Sequence, residues 1–177
     1  MEAEKLAAAL SVPTKSDAEL FQLIVDTPFR FKLEAAFLFL GITVLLLANK
    51  KTGMIDRVAL SNTELAVNTT KVSSVPFKEI KIPLSHLDNI IAKAIESGRP
   101  QETTDWENLF APALTPEQAR INQASAGVAY SAVYPLKARD GGAMIFSFYQ
   151  YSNKIGAPQH DFIKAYAELV SARLQKG

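Results

Sequence analysis

Two stretches rich in valine and aromatic residues, GVAYSAVYPLKA and AMIFSFYQY, flank the turn Arg139-Asp140-Gly141-Gly142. The pattern predicts a β-hairpin over residues 127–151, with Asp-Gly-Gly supplying the positive φ of a tight reversal. Both strands are apolar on each face. Val128, Tyr130, Tyr134 and Leu136 alternate with Ala129 and Val133, and Met144, Phe146 and Phe148 alternate with Ile145 and Tyr149. A strand apolar on both sides is covered on both sides, so the hairpin belongs near the middle of a sheet between two layers.

The same reading extends along the chain. Helical spacing predicts a short helix within residues 1–12 and a second opening at Ser16 or Asp17, with Leu20, Phe21, Ile24 and Val25 inward. A third is predicted from Phe29 to Leu40, capped by Thr27 and ended by Gly41. Ile42 to Asn49 and Met54 to Leu60 read as strands joined at Lys50-Lys51-Thr52-Gly53. Residues 61–76, rich in Asn, Thr and Ser, predict an irregular connection with at most a short helix near Glu64. Alternation from Phe77 to Leu84 predicts a strand stopped by Pro83, and Ser85 is placed to cap a helix from His86 to Ser97. A short extended piece from Gln101 to Thr104 and an irregular segment from Asp105 to Ala113 follow. Thr115-Pro116 then opens a helix that stops before Gly127, and Pro158 opens a terminal helix with Phe162, Ile163, Tyr166, Leu169, Val170 and Leu174 inward.

The run from Ala35 to Ala48 is the most apolar in the chain, yet shorter than the ~20 residues a membrane helix needs, and Gly41 divides it. It begins too late, after acidic residues, for a signal peptide. The expectation is a soluble, cytoplasmic protein with no membrane span. Composition narrows the chemistry further. The 177 residues carry 19 basic and 18 acidic side chains, a balance that gives no polycation footprint for nucleic acid. Cysteine is absent, which removes thiol nucleophiles, thiolate metal sites and covalent thioether cofactors. His86 and His160 are the two histidines and stand in unrelated contexts, so neither a metal site nor a cofactor is expected. Asp105 and Glu107 are carboxylates without an accompanying nucleophile motif, and a non-enzyme is expected.

Three pieces in order resemble the GAF domain: LEAAFLFLGITVLLLANKKTGMIDRVALSN, IPLSHLDNIIAKAIESGRPQE and SAVYPLKARDGGAMIFSFY. The resemblance spans residues 29–174. It implies an α/β (α+β) fold with a central antiparallel sheet of five to six strands, the N- and C-terminal helices on one face, and helices and loops over the other. Residues 1–28 would then be a helical arm on a domain of residues 29–177. The family's usual work is sensing small molecules, with dimerisation through helices. Its covalent bilin branch and its branch that reduces free methionine sulfoxide need a cysteine that this chain lacks. Its cyclic-nucleotide motif is matched by Asn153, Lys154 and Asp161 but broken at Ala157 and Phe162, leaving an ion pair between Lys154 and Asp161 as the expectation.

Two functions remain open: a sensor that binds a small molecule non-covalently between the sheet and residues 105–126, and a pocketless dimerisation or scaffold module. The segment from Asp105 to Arg120 combines aromatic enclosure with charge. Trp106 and Phe110 would enclose a ligand, Asp105 and Arg120 would anchor its polar groups, and Tyr130 or Tyr134 would contribute from the sheet beneath. The same aromatics also serve a closed core. A sensor would need a separate signalling partner or further chain for output, and the apolar faces of the terminal helices predict a homodimer through them.

Overall fold

The computed structural model describes residues 1–149 and 154–176. A six-stranded antiparallel sheet forms its middle: β1 (Leu40–Asn49), β2 (Met54–Leu60), β3 (Ile82–Pro83), β4 (Gln101–Thr103), β5 (Tyr130–Leu136) and β6 (Gly142–Phe148), in the order β3-β2-β1-β6-β5-β4. The hairpin β5–β6 pairs Tyr130 with Phe148 through Leu136 with Gly142, and β6 continues onto β1. This puts the two-sided apolar strands at the centre, as their pattern requires. Gly142 lies where a Cβ would stand 2.8 Å from the Leu46 carbonyl oxygen, so the close approach of β6 to β1 depends on its missing side chain.

Each sheet face has its own core. On one, α1 (Ala3–Leu10), α2 (Asp17–Arg30) and α8 (Ala157–Gln175) cover Leu45, Tyr130, Ala132, Met144, Phe146 and Phe148. Leu6, Leu10, Leu20, Ile24 and Val25 from the first 28 residues lie in that same core. The inward residues of α8 include Phe162, Ile163, Tyr166 and Val170, and Phe146 meets Phe162 and Tyr166 edge-on at 5.9 and 6.3 Å. On the other face, Ile42, Val44, Leu46, Val133 and Ile145 lie beneath α5 (Ile90–Ser97) and the segment around Trp106. No helix among the described residues is long and apolar enough to cross a membrane.

Several elements differ from the sequence expectation. Thr27-Pro28 does not restart a helix; α2 runs through to Arg30. Proline has no N–H for the carbonyl of Ile24, four residues back, and the buried Tyr166 hydroxyl donates to that oxygen instead, at 2.6 Å. Thr27, rather than capping, donates its hydroxyl to Leu23 O at 2.7 Å. The expected helix from Phe29 to Leu40 is shortened to α3 (Lys32–Phe37), because Phe39 turns into the left-handed region at φ 56° and β1 starts at Leu40. Residues 61–76 hold a full helix, α4 (Glu64–Val72), with the Thr63 hydroxyl accepting from Ala66 N. The expected strand from Phe77 to Leu84 shrinks to β3, after a 3₁₀ turn at Phe77–Glu79 set by Pro76. The following helix begins at Ile90, not His86. Its N-cap is Asn89, whose side chain also reaches Ala111 O, a tertiary bond that Ser85 is not placed to make.

Candidate functional site

The face away from the terminal helices holds a cavity of about 50 Å³. Its floor is Ile42 and Val44 of β1, Arg57 of β2, and Ile145 and Ser147 of β6. Its sides come from Thr69 and Ser73 at the end of α4, from Phe77 and Ile80, from Leu109 and Phe110 of α6 (Glu107–Phe110), and from Asn122 of α7 (Pro116–Ala126). Strand alternation explains the floor: Ile42, Val44, Ile145 and Ser147 are the positions that point to this side.

Arg57 is the unusual member, at 3% exposure. Its Nη1 donates to Ile80 O at 3.4 Å and its Nη2 to Leu109 O at 3.3 Å, and its guanidinium carbon lies 4.7 Å from the centre of the Phe110 ring. Burial lowers its pKa from 12.5 to about 9, so at neutral pH it remains a cation. The adjacent Asp56 turns the other way along the strand, its Oδ1 3.0 Å from Lys81 Nζ.

The segment above the cavity is tied down on several sides. Trp106 donates from its backbone N to Gln123 Oε1 at 2.9 Å and from Nε1 to Ser131 Oγ at 3.0 Å, with Ser131 in turn 2.8 Å from Ser147 Oγ. Its ring meets Phe110 at 5.5 Å. Fully buried Asn89 accepts from Ile91 N and donates to Ala111 O at 2.7 Å, which fixes the segment to α5. Thr115 caps α7 by accepting from Gln118 N, and Gly127 ends it at φ 63°. This helix holds on to α4 through Gln118 to Val72 O and Asn122 to Ser73 Oγ, each at 3.2 Å.

Of the residues the sequence pointed to, Trp106 and Phe110 line the cavity. Asp105 instead accepts from Glu107 N at 2.8 Å, a local turn contact. Arg120 is exposed and pairs with Glu107 at 3.3 Å, outside the cavity. Tyr130 and Tyr134 are even-numbered positions of β5, whose odd positions Ser131 and Val133 face this side, so both tyrosines face the terminal helices. The Tyr130 hydroxyl donates to Glu102, which also lies 3.4 Å from His160 Nδ1, and burial with that carboxylate raises the phenol's pKa. Asn153 of the partial nucleotide motif falls outside the described residues. Asp161 sits in the second turn of α8, whose first turn carries no acidic residue. Arg57, Thr69 and Asn122 escaped the sequence reading. One signal for Arg57 was available: in Asp56-Arg57 two polar neighbours in one strand point to opposite faces, and one of them must enter a core. Among the described residues no group of three or more His, Asp or Glu is placed to hold a metal.

No family model and no curated protein matches the chain. Solved structures do. The GAF domain from Acinetobacter phosphoenolpyruvate-protein phosphotransferase superposes with a TM-score of 0.62 at 7% identity, over 98% of this chain and 90% of that one. Residues 122 to 287 of a methyl-accepting chemotaxis protein superpose at 0.59 and 12% identity, over 98% and 95%. Free methionine-R-sulfoxide reductase from Neisseria meningitidis, in complex with its substrate, superposes at 0.61 and 8% identity, over 98% and 86%. Further GAF domains are among the similar structures. At such identities the likeness is one of fold, and the fold is that of the GAF domain.

Proposed function

We propose that this chain, built on the GAF fold, is a non-catalytic sensory or regulatory domain that binds a small molecule non-covalently between the sheet and residues 105–126. The observation that carries the reading is the cavity itself, closed on one side by Trp106, Leu109, Phe110 and Asn122 and floored by strands from the sheet centre. Its wall is mainly apolar with a few convergent polar groups, which is the usual constitution of a ligand site. A volume of about 50 Å³ suits a ligand of few atoms. The presence of a chemotaxis protein among the structural neighbours favours signalling. The neighbouring reductase favours an enzyme, but a chain without cysteine has no thiol to offer for that kind of chemistry. Output through a separate signalling partner in the cytoplasm completes the proposal.

The test is thermal unfolding against a panel of small metabolites, because a ligand bound by the native state alone raises stability by mass action, ~2.7 kcal/mol at a hundred times its Kd. A true ligand is expected to raise Tm and to change Trp106 fluorescence together. A panel that moves neither would sink the reading.

A second reading, dimerisation or docking, draws on a different observation. Leu33 and Phe37 are 85% and 72% exposed, and Phe39 and Tyr149 beside them meet edge-on at 5.8 Å. Phe39 holds φ 56°, a conformation that costs a bulky residue ~1–3 kcal/mol. The apolar faces of α1 and α8, by contrast, are spent on the core, with Leu6, Leu10, Phe162 and Tyr166 buried. A homodimer in solution would therefore use the α3–β1 corner. Light scattering at micromolar concentration should then give twice the chain mass, falling to a monomer in Phe37→Ser; a monomeric wild type would exclude it.

A further inference from the structure

Among the described residues, the cavity wall holds one charged side chain, Arg57. A buried guanidinium is costly unless an anion or a full set of acceptors replaces its hydration. Of its five N–H donors, one on each terminal nitrogen meets a carbonyl oxygen, at 3.4 and 3.3 Å, past the usual range of such bonds. The Phe110 ring adds a π face but no charge. Among the described residues no carboxylate pairs with it: Asp56 is engaged by Lys81 and Glu107 by Arg120. The fold thus carries a cation with no counter-charge among the described residues, at a cavity whose floor is otherwise the hydrocarbon of Ile42, Val44 and Ile145 and the Ser147 hydroxyl.

We propose that the cavity takes a short aliphatic carboxylate, with its carboxylate on Arg57 and its hydrocarbon tail against Ile42, Val44 and Ile145. The inference rests on the sensor reading above and adds the ligand's chemical class. A planar guanidinium matches a carboxylate with two parallel hydrogen bonds, and removal from water strengthens both. The volume of about 50 Å³ exceeds the ~10–15 Å³ a single water needs, and leaves room for a few heavy atoms but not for a nucleotide. The apolar floor selects against a bare inorganic anion, which would gain nothing from it.

The experiment measures thermal unfolding of the full chain with millimolar propionate and butyrate, at matched ionic strength, against propionamide, butyramide and inorganic phosphate. The amides have the same shape without the charge. The acids are expected to raise Tm and to bind about 10- to 100-fold more tightly than the amides, the ratio a charge-assisted hydrogen bond implies. Arg57→Met, which keeps volume without charge, is expected to lose the response to acids; Arg57→Lys, which keeps charge without the fork, weakens it. Should Arg57→Met fail to fold, the comparison of acids with amides in the wild type still decides. Equal stabilisation by acids and amides, or a preference for phosphate, overturns the carboxylate and leaves the sensor standing, as does a response to some other metabolite alone. No response to these compounds or to the wider panel overturns both.

Discussion

Replacing Phe146 by alanine is expected to destabilise the protein by about 3–5 kcal/mol, a large part of the ~5–15 kcal/mol that holds a typical domain folded. Phe146 lies at the centre of β6, fully buried, with β1 on one side and β5 on the other. Its ring is packed edge-on against Phe162 and Tyr166, which stack on one another at 5.6 Å. Truncation removes the transfer free energy of the ring and leaves a void that two strands and a helix are too constrained to close. Tyr166 is further held by its hydrogen bond to Ile24 O, the carbonyl that Pro28 leaves without a donor, and so cannot swing into the space without orphaning that oxygen. Urea unfolding would show the loss as a lower midpoint at unchanged slope. A loss below about 1 kcal/mol would mean that the helical layer relaxes freely onto the sheet.

The second large effect is expected at Trp106. It is 5% exposed, and Trp106→Ala should cost about 3–5 kcal/mol by the same argument. Trp106→Phe retains most of the ring area and gives up the bond from Nε1 to Ser131 Oγ. Ser131 keeps Ser147 as a partner, so that loss should stay near ~1 kcal/mol. The two variants together separate packing from hydrogen bonding, read by urea midpoints on far-UV circular dichroism. Similar costs for both would show that the indole N–H, and not its area, holds the segment over the cavity. For ligand studies the phenylalanine variant is the useful one, since the alanine variant enlarges the cavity it is meant to report on.

The contrast between these two positions and Arg57 shows how the two sheet faces differ. The face toward α8 is filled by interlocking aromatic rings, and the hydroxyls of its buried tyrosines, Tyr130 and Tyr166, both have partners. The opposite face accepts a cation, a serine pair and an asparagine around an open volume. A protein under pressure only to fold would fill that volume and remove the charge, since well-packed apolar residues at such positions are often neutral or stabilising. That cost is what the proposed carboxylate ligand would offset.

Local patterns by themselves determined much of the frame. β2 falls at Met54–Leu60, as alternation and the preceding Lys-Lys-Thr-Gly turn indicate, and the β5–β6 hairpin closes around Asp140 and Gly141. Ser16 caps α2, Thr115 caps α7 and Gly127 ends it in the left-handed region. These features depend on bonds and sterics within a few residues, which is the range a sequence pattern can register. Trp106 and Phe110 were legible as cavity residues because large aromatics in an irregular segment must bury themselves somewhere nearby.

Tertiary structure alone decided the rest, because the deciding partners are distant in the chain. Pro28 reads as a helix breaker until Tyr166, 142 residues from Ile24, supplies the missing donor. Ser85 reads as the cap of the next helix until the bond from Asn89 to Ala111 O, 22 residues on, places the cap at Asn89. Tyr130 and Tyr134 look like cavity residues until the register of β5 against β6 assigns their face, since a shift of one residue exchanges the two sides of a strand. For Arg57 the sequence determined only that it and Asp56 point oppositely; the fold sends the cation inward and the carboxylate out to Lys81. That choice turned a strand residue into the centre of the candidate site. It rests on which face α4, α6 and α7 cover, information that no stretch of the chain carries alone.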